Sequence, residues 1–228
     1  MTISPHSCGI FDLRDAQASP VLRRVVLWRW NGRAAPEMRL RAKEGLAYIS
    51  YASRVDAMDF GEDLGLSGDA SYDLAMLRDH RDKASWDEYV TDAQHARVGG
   101  FIDTITHLDT QARADYVYKG PPSVRGRVRH LALYSWREGI DERRKRDARR
   151  ALAALRADCG AVLALEVADD LGWAKAGRAD LVLEAHFAGA DDAAAFLADP
   201  AYREAAALLD GFTRAERHAA IQHRMRTG

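Results

Sequence analysis

The chain has 228 residues, more than one minimal domain needs and enough for two of about 100 residues each. Hydrophobic residues make up 47% and charged residues 29%, an ordinary soluble composition, and 33 basic against 34 acidic side chains leave a net charge of −1, which argues against nucleic acid as a partner. No run of about 18 apolar residues calls for a membrane; Cys8 and Cys159 stand in no CxxC or metal-spaced cluster, and MTISPHSCGIFDLRD lacks the basic-then-apolar pattern of a secretion signal, so a reduced, cytoplasmic protein is expected.

After an N-terminal extension over residues 1–19, Val21–Trp30 (VLRRVVLWRW) is rich in β-branched and aromatic residues and predicts a strand. Pro36 opens a helix at a position where its missing N–H costs nothing. Met38, Ala42, Leu46 and Ile49 then recur at helical spacing as one buried stripe. Val55–Phe60 predicts a second strand, residues 61–70 a loop, and Tyr72–Leu77 a third strand. Ser85 and Glu88 form a capping-box pattern, with Ser85 expected as N-cap of a second helix. That helix passes Tyr89, breaks, and resumes through Val98 to Ile105; Ala114–Tyr118 is a short last strand.

The same plan then recurs. Leu27, Trp30, Leu46 and Ile49 find Leu133, Trp136, Leu152 and Leu155, each 106 positions later. From Val55 the offset becomes 107: VDAMDFGEDLG matches VLALEVADDLG from Val162, YDLAML matches ADLVLE from Ala179, and Ile102-Asp103 matches Leu209-Asp210. The one-residue step falls in a predicted turn, where insertions are tolerated. Ordered matches with one offset step mark an internal duplication. In the second copy Asp141 is placed to cap the first helix and Pro200 to interrupt the second.

The order β-α-β-β-α-β is the ferredoxin-like arrangement. Val25–Trp28 is an unbroken apolar run, the sign of a sheet covered on both faces. Helices cover one face, and the twin copy is the available cover for the other. The expected fold is therefore α+β: two ferredoxin-like units, residues 20–118 and 127–226, packed sheet to sheet as an intramolecular pseudo-dimeric α/β barrel. Residues 119–126 (KGPPSVRG) are the expected linker, stiffened by Pro-Pro. The expected state is a monomer with an internal pseudo-dimer, with room for a further homodimer.

The apolar first strand and the Asp-Leu pair opening each third strand (Asp73-Leu74, Asp180-Leu181) resemble the stress-responsive A/B barrel (Dabb) family, over nearly everything but the N-terminal extension. The family usually forms homodimers with facing sheets, and this chain looks like such a dimer in one polypeptide. It includes stress proteins and polyketide cyclases of the olivetolic acid cyclase type. Those cyclases carry a Tyr and a general-base His six residues apart at the second helix, and the matching positions here are Tyr89 and His95. Asp92 and Ala93 stand where the family often has His and Pro. In the second unit the pair becomes Phe196 and Tyr202. A pocket-facing His of the cyclase first strand is matched by His130, while Arg24 stands there in the first unit. A further His of the third strand is replaced by Leu74 and Leu181.

If Arg24 faces the helices, alternation places Val26, Trp28 and Trp30 with it, and Leu74, Met76 and Arg78 on the third strand. Arg24, Trp28, Trp30, Met76 and Arg78 are thus candidate substrate contacts beside His95 and Tyr89, an aromatic wall with few polar groups. A neutral His95 is suited to take a proton α to a carbonyl, with Tyr89 or an Arg stabilising the enolate. The bland alternative has Tyr and His merely packing, and the two arginines paired with carboxylates. In the second unit His130, Tyr134, Trp136 and Tyr202 form an aromatic set, and His130 serves equally well as a packed strand histidine. Trp173, after the shared DLG loop, is a lid or a plug. The charge run Glu138–Arg150 reads as a solvated helix face; His218 and His223 lack a third ligand, so no metal site is expected.

The reading is a cofactor-independent cyclase acting on a small hydrophobic, aromatic or poly-β-keto substrate by aldol or Claisen-type closure, with no cofactor. A cofactor-free monooxygenase of aromatic polyketides and a non-catalytic stress-responsive ligand-binding protein are the rivals.

Overall fold

The computed structural model describes residues 20–52, 57–67 and 71–226. The N-terminal extension, and Val55 and Asp56 of the expected second strand, lie outside them. The first half forms β1 (Val21–Trp28), α1 (Pro36–Ala52), β2 (Ala57–Glu62), β3 (Leu74–His80), α2 (Lys83–Thr91), α3 (Ala93–Thr104) and β4 (Ala112–Tyr118). The second half forms β5 (Val128–Tyr134), α4 (Glu142–Asp158), β6 (Ala164–Asp169), β7 (Leu181–Phe187), α5 (Ala190–Ala198), α6 (Pro200–Phe212) and β8 (Ala219–Arg224). Each half makes one antiparallel sheet, β2-β3-β1-β4 and β6-β7-β5-β8, so the two β-α-β-β-α-β units share one strand order.

Several local expectations are corrected: the first strand ends at Trp28 rather than Trp30, the second runs on to Glu62 into the expected loop, and the last begins at Ala112 rather than Ala114. The third strand starts at Leu74, because Tyr72 sends its N–H to the Ala220 carbonyl of the other unit (2.8 Å) rather than into its own sheet. The N-cap of α2 is Asp82, whose carboxylate accepts the Ser85 N–H at 2.8 Å; Ser85 sits inside the first turn as the donor being capped. The break after Tyr89 occurs at Asp92, which ends α2 and caps α3 through the His95 N–H (2.8 Å). Asp141 caps α4 and Asp199-Pro200 divides α5 from α6, as expected from the sequence.

The apolar run of β1 divides by parity. Val26 and Trp28 face α1 and α3 with Ala42, Leu46, Ile49 and Ile102. Val25 and Leu27 face the other sheet and meet Leu131, Leu133, Val182 and Ile221. The two sheets therefore share one apolar layer, as aligned sheet packing requires. Each β2–β3-type loop then crosses to the other unit's last strand. Leu64 N–H bonds the Gln222 carbonyl (2.8 Å), and reciprocally Leu171 N–H bonds the Asp115 carbonyl (2.6 Å). The exchange covers both outer strands, which would otherwise present unpaired backbone. Gly177 permits the closest approach: its φ is +66°, and a Cβ there would lie 2.4 Å from the Gln111 carbonyl oxygen.

One end of the shared layer is ionic. Arg129 is fully buried and bonds Asp59 (2.7 Å), Glu184 (2.8 Å) and Ser123 (2.5 Å). Arg23, its counterpart in β1, bonds Glu184 (2.7 Å) and grips Asp79 with two nitrogens (2.6 and 2.8 Å). Glu184 also accepts from Tyr116 (2.6 Å) and His186 (2.7 Å). Burial alone would raise the Glu184 carboxyl, but Arg23 and Arg129 hold it well below the usual carboxylate range.

Candidate functional site

A cavity of about 580 Å³ opens between the first sheet and its helices, in the size range of small-molecule sites. β1 supplies Arg24 and Trp28, β3 Met76, α2 Trp86 and Tyr89, α3 His95, and β4 Arg113. The rest of the wall comes from the second unit: Trp173, Ala174 and Lys175 of the β6–β7 loop. Trp173 meets Trp86 edge-on, with ring centroids 5.4 Å apart. It therefore lines the other unit's cavity rather than plugging its own.

His95 is positioned by the helix break. With its N–H held by Asp92, the imidazole packs against the Tyr89 ring, centroids 4.0 Å apart and planes tilted by 42°. Tyr89 also carries the Arg78 guanidinium over its ring, 3.6 Å from the centroid. The Tyr89 hydroxyl donates to Met76 Sδ at 3.6 Å, so Tyr89 supports His95 by its ring, not by a hydrogen bond. His95 Nδ1 is buried and has no hydrogen-bond partner among the described residues. Burial, then Arg24 and Arg78, push His95 down to about 4, so its imidazole is neutral at pH 7.

Arg24 pairs with Asp115 (3.1 Å), which also accepts the Trp86 indole N–H at 2.7 Å. Burial raises the Asp115 carboxyl despite that pair. Arg78 and Trp30 are not among the cavity-lining residues. Arg78 lies against the Tyr89 ring; Trp30, past the end of β1, packs beside the first unit's core and donates its backbone N–H to the Asp73 carboxylate (2.7 Å).

The second unit fills the corresponding space with side chains. His130 meets Gln222 Nε2 through Nδ1 (2.8 Å) and the Tyr202 hydroxyl through Nε2 (3.3 Å), so both ring nitrogens are engaged. Tyr134 stacks on His218 at 4.9 Å, and Phe196 contacts Tyr202 and Phe187. Leu64 and Leu66 of the crossing loop pack onto this core, as does Trp136. The structure thus brings Arg24, Trp28, Met76, Tyr89 and His95 together around open space, and His130, Tyr134 and Tyr202 together within packed protein.

Trp86, Arg113, Asp115 and Lys175 were missed at the level of sequence. Trp86 carried a readable signal, three residues before Tyr89 on one helix face. Asp115 and Arg113 depend on the β1–β4 register, where Arg24 faces Asp115 and Val26 faces Arg113. Among the described residues no group of three His, Cys, Asp or Glu is placed to hold a metal ion, and no helix is long and apolar enough to cross a membrane.

The buried histidines predict acid lability. His80, His95 and His223 are pushed down to about 4 and His130 to about 3, in each case first by burial. Unfolded histidines protonate near pH 6.5. Between about pH 6.5 and 4 the unfolded chain therefore binds more protons, and folding stability falls as pH drops through that window. Below about 4.5 the depressed Glu184 adds a further loss as its carboxylate is protonated. The thermal midpoint should be highest at neutral pH and decline steadily from pH 6.5 to 4; a flat profile contradicts these burial assignments.

Residues 128–218 match the family model described as Stress responsive A/B Barrel Domain. No curated protein matches the chain. Among solved structures, an anthrone oxidase-like protein is similar at TM-score 0.68 and 13% identity, covering 91% of this chain and 92% of that one. A putative monooxygenase from Fusobacterium nucleatum has TM-score 0.52 at 7% identity, covering 92% and 93%. A dimeric ferredoxin-like protein of unknown function from Thermobifida fusca is 25% identical, covering 47% of this chain and 99% of its own, at TM-score 0.41. The first two structural likenesses describe the fold: this chain is a two-unit ferredoxin-like protein whose second unit matches the stress responsive A/B barrel domain.

Proposed function

We propose that the first unit's cavity is a cofactor-independent general-base site acting on an aromatic or poly-β-keto carbon acid. The observation that carries this reading is His95: a neutral imidazole in the wall of an aromatic cavity, tilted against the Tyr89 ring, with no hydrogen bond to either ring nitrogen among the described residues. With its own proton on the enclosed Nδ1, His95 offers the lone pair of Nε2, the ring nitrogen left open, to a C–H between two carbonyls. The base is weak in the empty cavity because burial, and then Arg24 and Arg78, oppose its protonation. The same charges favour an enolate, and once that anion forms, it stabilises the imidazolium beside it.

In the cyclase reading the enolate carbon attacks a second carbonyl of the same molecule. One C–C bond forms, the carbonyl π-bond breaks, and the alkoxide takes back the proton from His95; loss of water then aromatises the ring. A second reading shares the first step. The carbanion reduces molecular oxygen, a CH₂ becomes C=O, and water leaves. The anthrone oxidase-like and monooxygenase names of the similar folds support that alternative.

The test supplies a linear poly-β-keto thioester and, separately, an anthrone, each under nitrogen and in air. Ring-closed product under nitrogen supports the cyclase reading. Conversion only of the anthrone, with stoichiometric oxygen uptake, supports the oxidase reading. No conversion of either substrate in either atmosphere contradicts a general-base enzyme and leaves a binding protein.

A further inference from the structure

The cavity wall carries a cationic group that the proton-transfer chemistry does not use. Arg113 is half-buried, and its guanidinium donates to neutral acceptors only, the Gln111 side-chain oxygen and the Ala176 carbonyl (3.4 Å). It forms no ion pair among the described residues, whereas Arg24 is committed to Asp115. Burial, then Arg24, lower its proton affinity, and the nearby carboxylates Asp103 and Asp115, neither in direct contact with it, offset this only in part. Gln111 holds it in place, being itself anchored by donation to Asp103 (2.8 Å). Its backbone is clamped to the crossing loop through Gly177 (2.7 Å) and Ala179 (2.8 Å), next to Trp173.

The second unit shows that these groups serve the cavity rather than the fold. At the positions equivalent to Arg113, Trp86 and His95 it has Ala220, Ala193 and Tyr202, and the first unit's counterpart of Trp173 is Leu66. The unpaired charge and the Trp pair occur together, where the space is open.

We propose that the cavity selects a planar aromatic molecule bearing a carboxylate, with Arg113 pairing the acid and the touching indoles of Trp86 and Trp173 together walling the ring. The proposal rests on this cavity being the working site, but not on what His95 does there. A guanidinium matches a carboxylate's two oxygens with parallel N–H donors. Edge and face contacts to two indoles suit a flat ring.

Calorimetric titration of the full chain with 2-naphthoate and its neutral isostere 2-naphthamide tests it. The acid should bind at least about tenfold more tightly than the amide, as a partly desolvated charge pair implies, and added NaCl should weaken only the acid. Arg113→Gln should bring the two affinities together, and Arg113→Lys should keep part of the difference. Trp173→Ala should weaken both probes by a similar factor. Equal affinities in the native chain, no naphthoate binding, or an acid preference that survives Arg113→Gln each overturns the assignment. The readout is binding alone. Undiminished turnover in His95→Ala would overturn the general-base reading and leave the acid preference standing.

Discussion

Arg129→Ala should lower the unfolding free energy by about 3–5 kcal/mol, the cost of leaving buried Asp59 without its cation and Glu184 with Arg23 alone. Arg129 is 0% exposed and touches Asp59 and Glu184 at 2.7 and 2.8 Å, so its loss strips both of a direct counter-charge in a region water does not reach. At about 2–4 °C per kcal/mol for a chain of this size, the thermal midpoint should fall by roughly 6–20 °C. The matched control is Lys145→Ala, which removes an ion pair to Glu142 on the surface of α4 and should change stability by well under about 1 kcal/mol. Urea unfolding of both variants measures the contrast. Equal small losses would mean that the inter-sheet network is hydrated or rearranges freely. A hydrophobic replacement of the whole network is a different experiment, and it need not destabilise, because the pairs already bear a desolvation cost.

The second large effect is on rate. Removing the base by His95→Ala should reduce turnover of a carbon-acid substrate by about 10²–10⁴-fold, the usual range for one general base. Affinity should change little, since the cavity keeps its aromatic walls and its arginines. Tyr89→Phe should cost far less than His95→Ala, because the Tyr89 ring, not its hydroxyl, contacts His95. The acid limb of kcat/KM should lie near pH 4, where His95 titrates in the empty cavity. Tyr202→Phe, at the equivalent place in the second unit, should leave the rate near that of the native chain. Comparable losses from the His95 and Tyr202 variants would contradict a single working cavity.

What could be read from the sequence follows from locality. The apolar run Val25–Trp28 required cover on both faces of its sheet, and the duplication named the cover. Pro200 marked the division of the last helix, and Asp141 the start of α4. The α2 cap was misread because Ser85 and Glu88 also fit a capping pattern, while Asp82 lay one turn earlier with the stronger acceptor. Less accessible were contacts that depend on register or on the crossing loops. Arg23, Arg129, Asp59, Asp79 and Glu184 come from five strands, and no spacing rule joins them. Trp173 belongs to the second copy by sequence and to the first cavity by structure, since the loop that carries it crosses over. Among the candidate contacts, His130 looked equivalent to Arg24 by position. Its surroundings differ: Gln222 and Tyr202 occupy its two nitrogens, where Arg24 meets the carboxylate of Asp115.

The most direct measurement follows the C–H bond itself. Anthrone held under nitrogen in deuterated buffer exchanges its methylene protons only as fast as a base removes them, whatever happens to the carbanion afterwards. Mass spectrometry should find deuterium entering faster with the native protein than with buffer, and at the buffer rate with His95→Ala. Exchange that proceeds equally fast in the two proteins, or no faster than in buffer with either, would contradict the cavity's role as a proton acceptor.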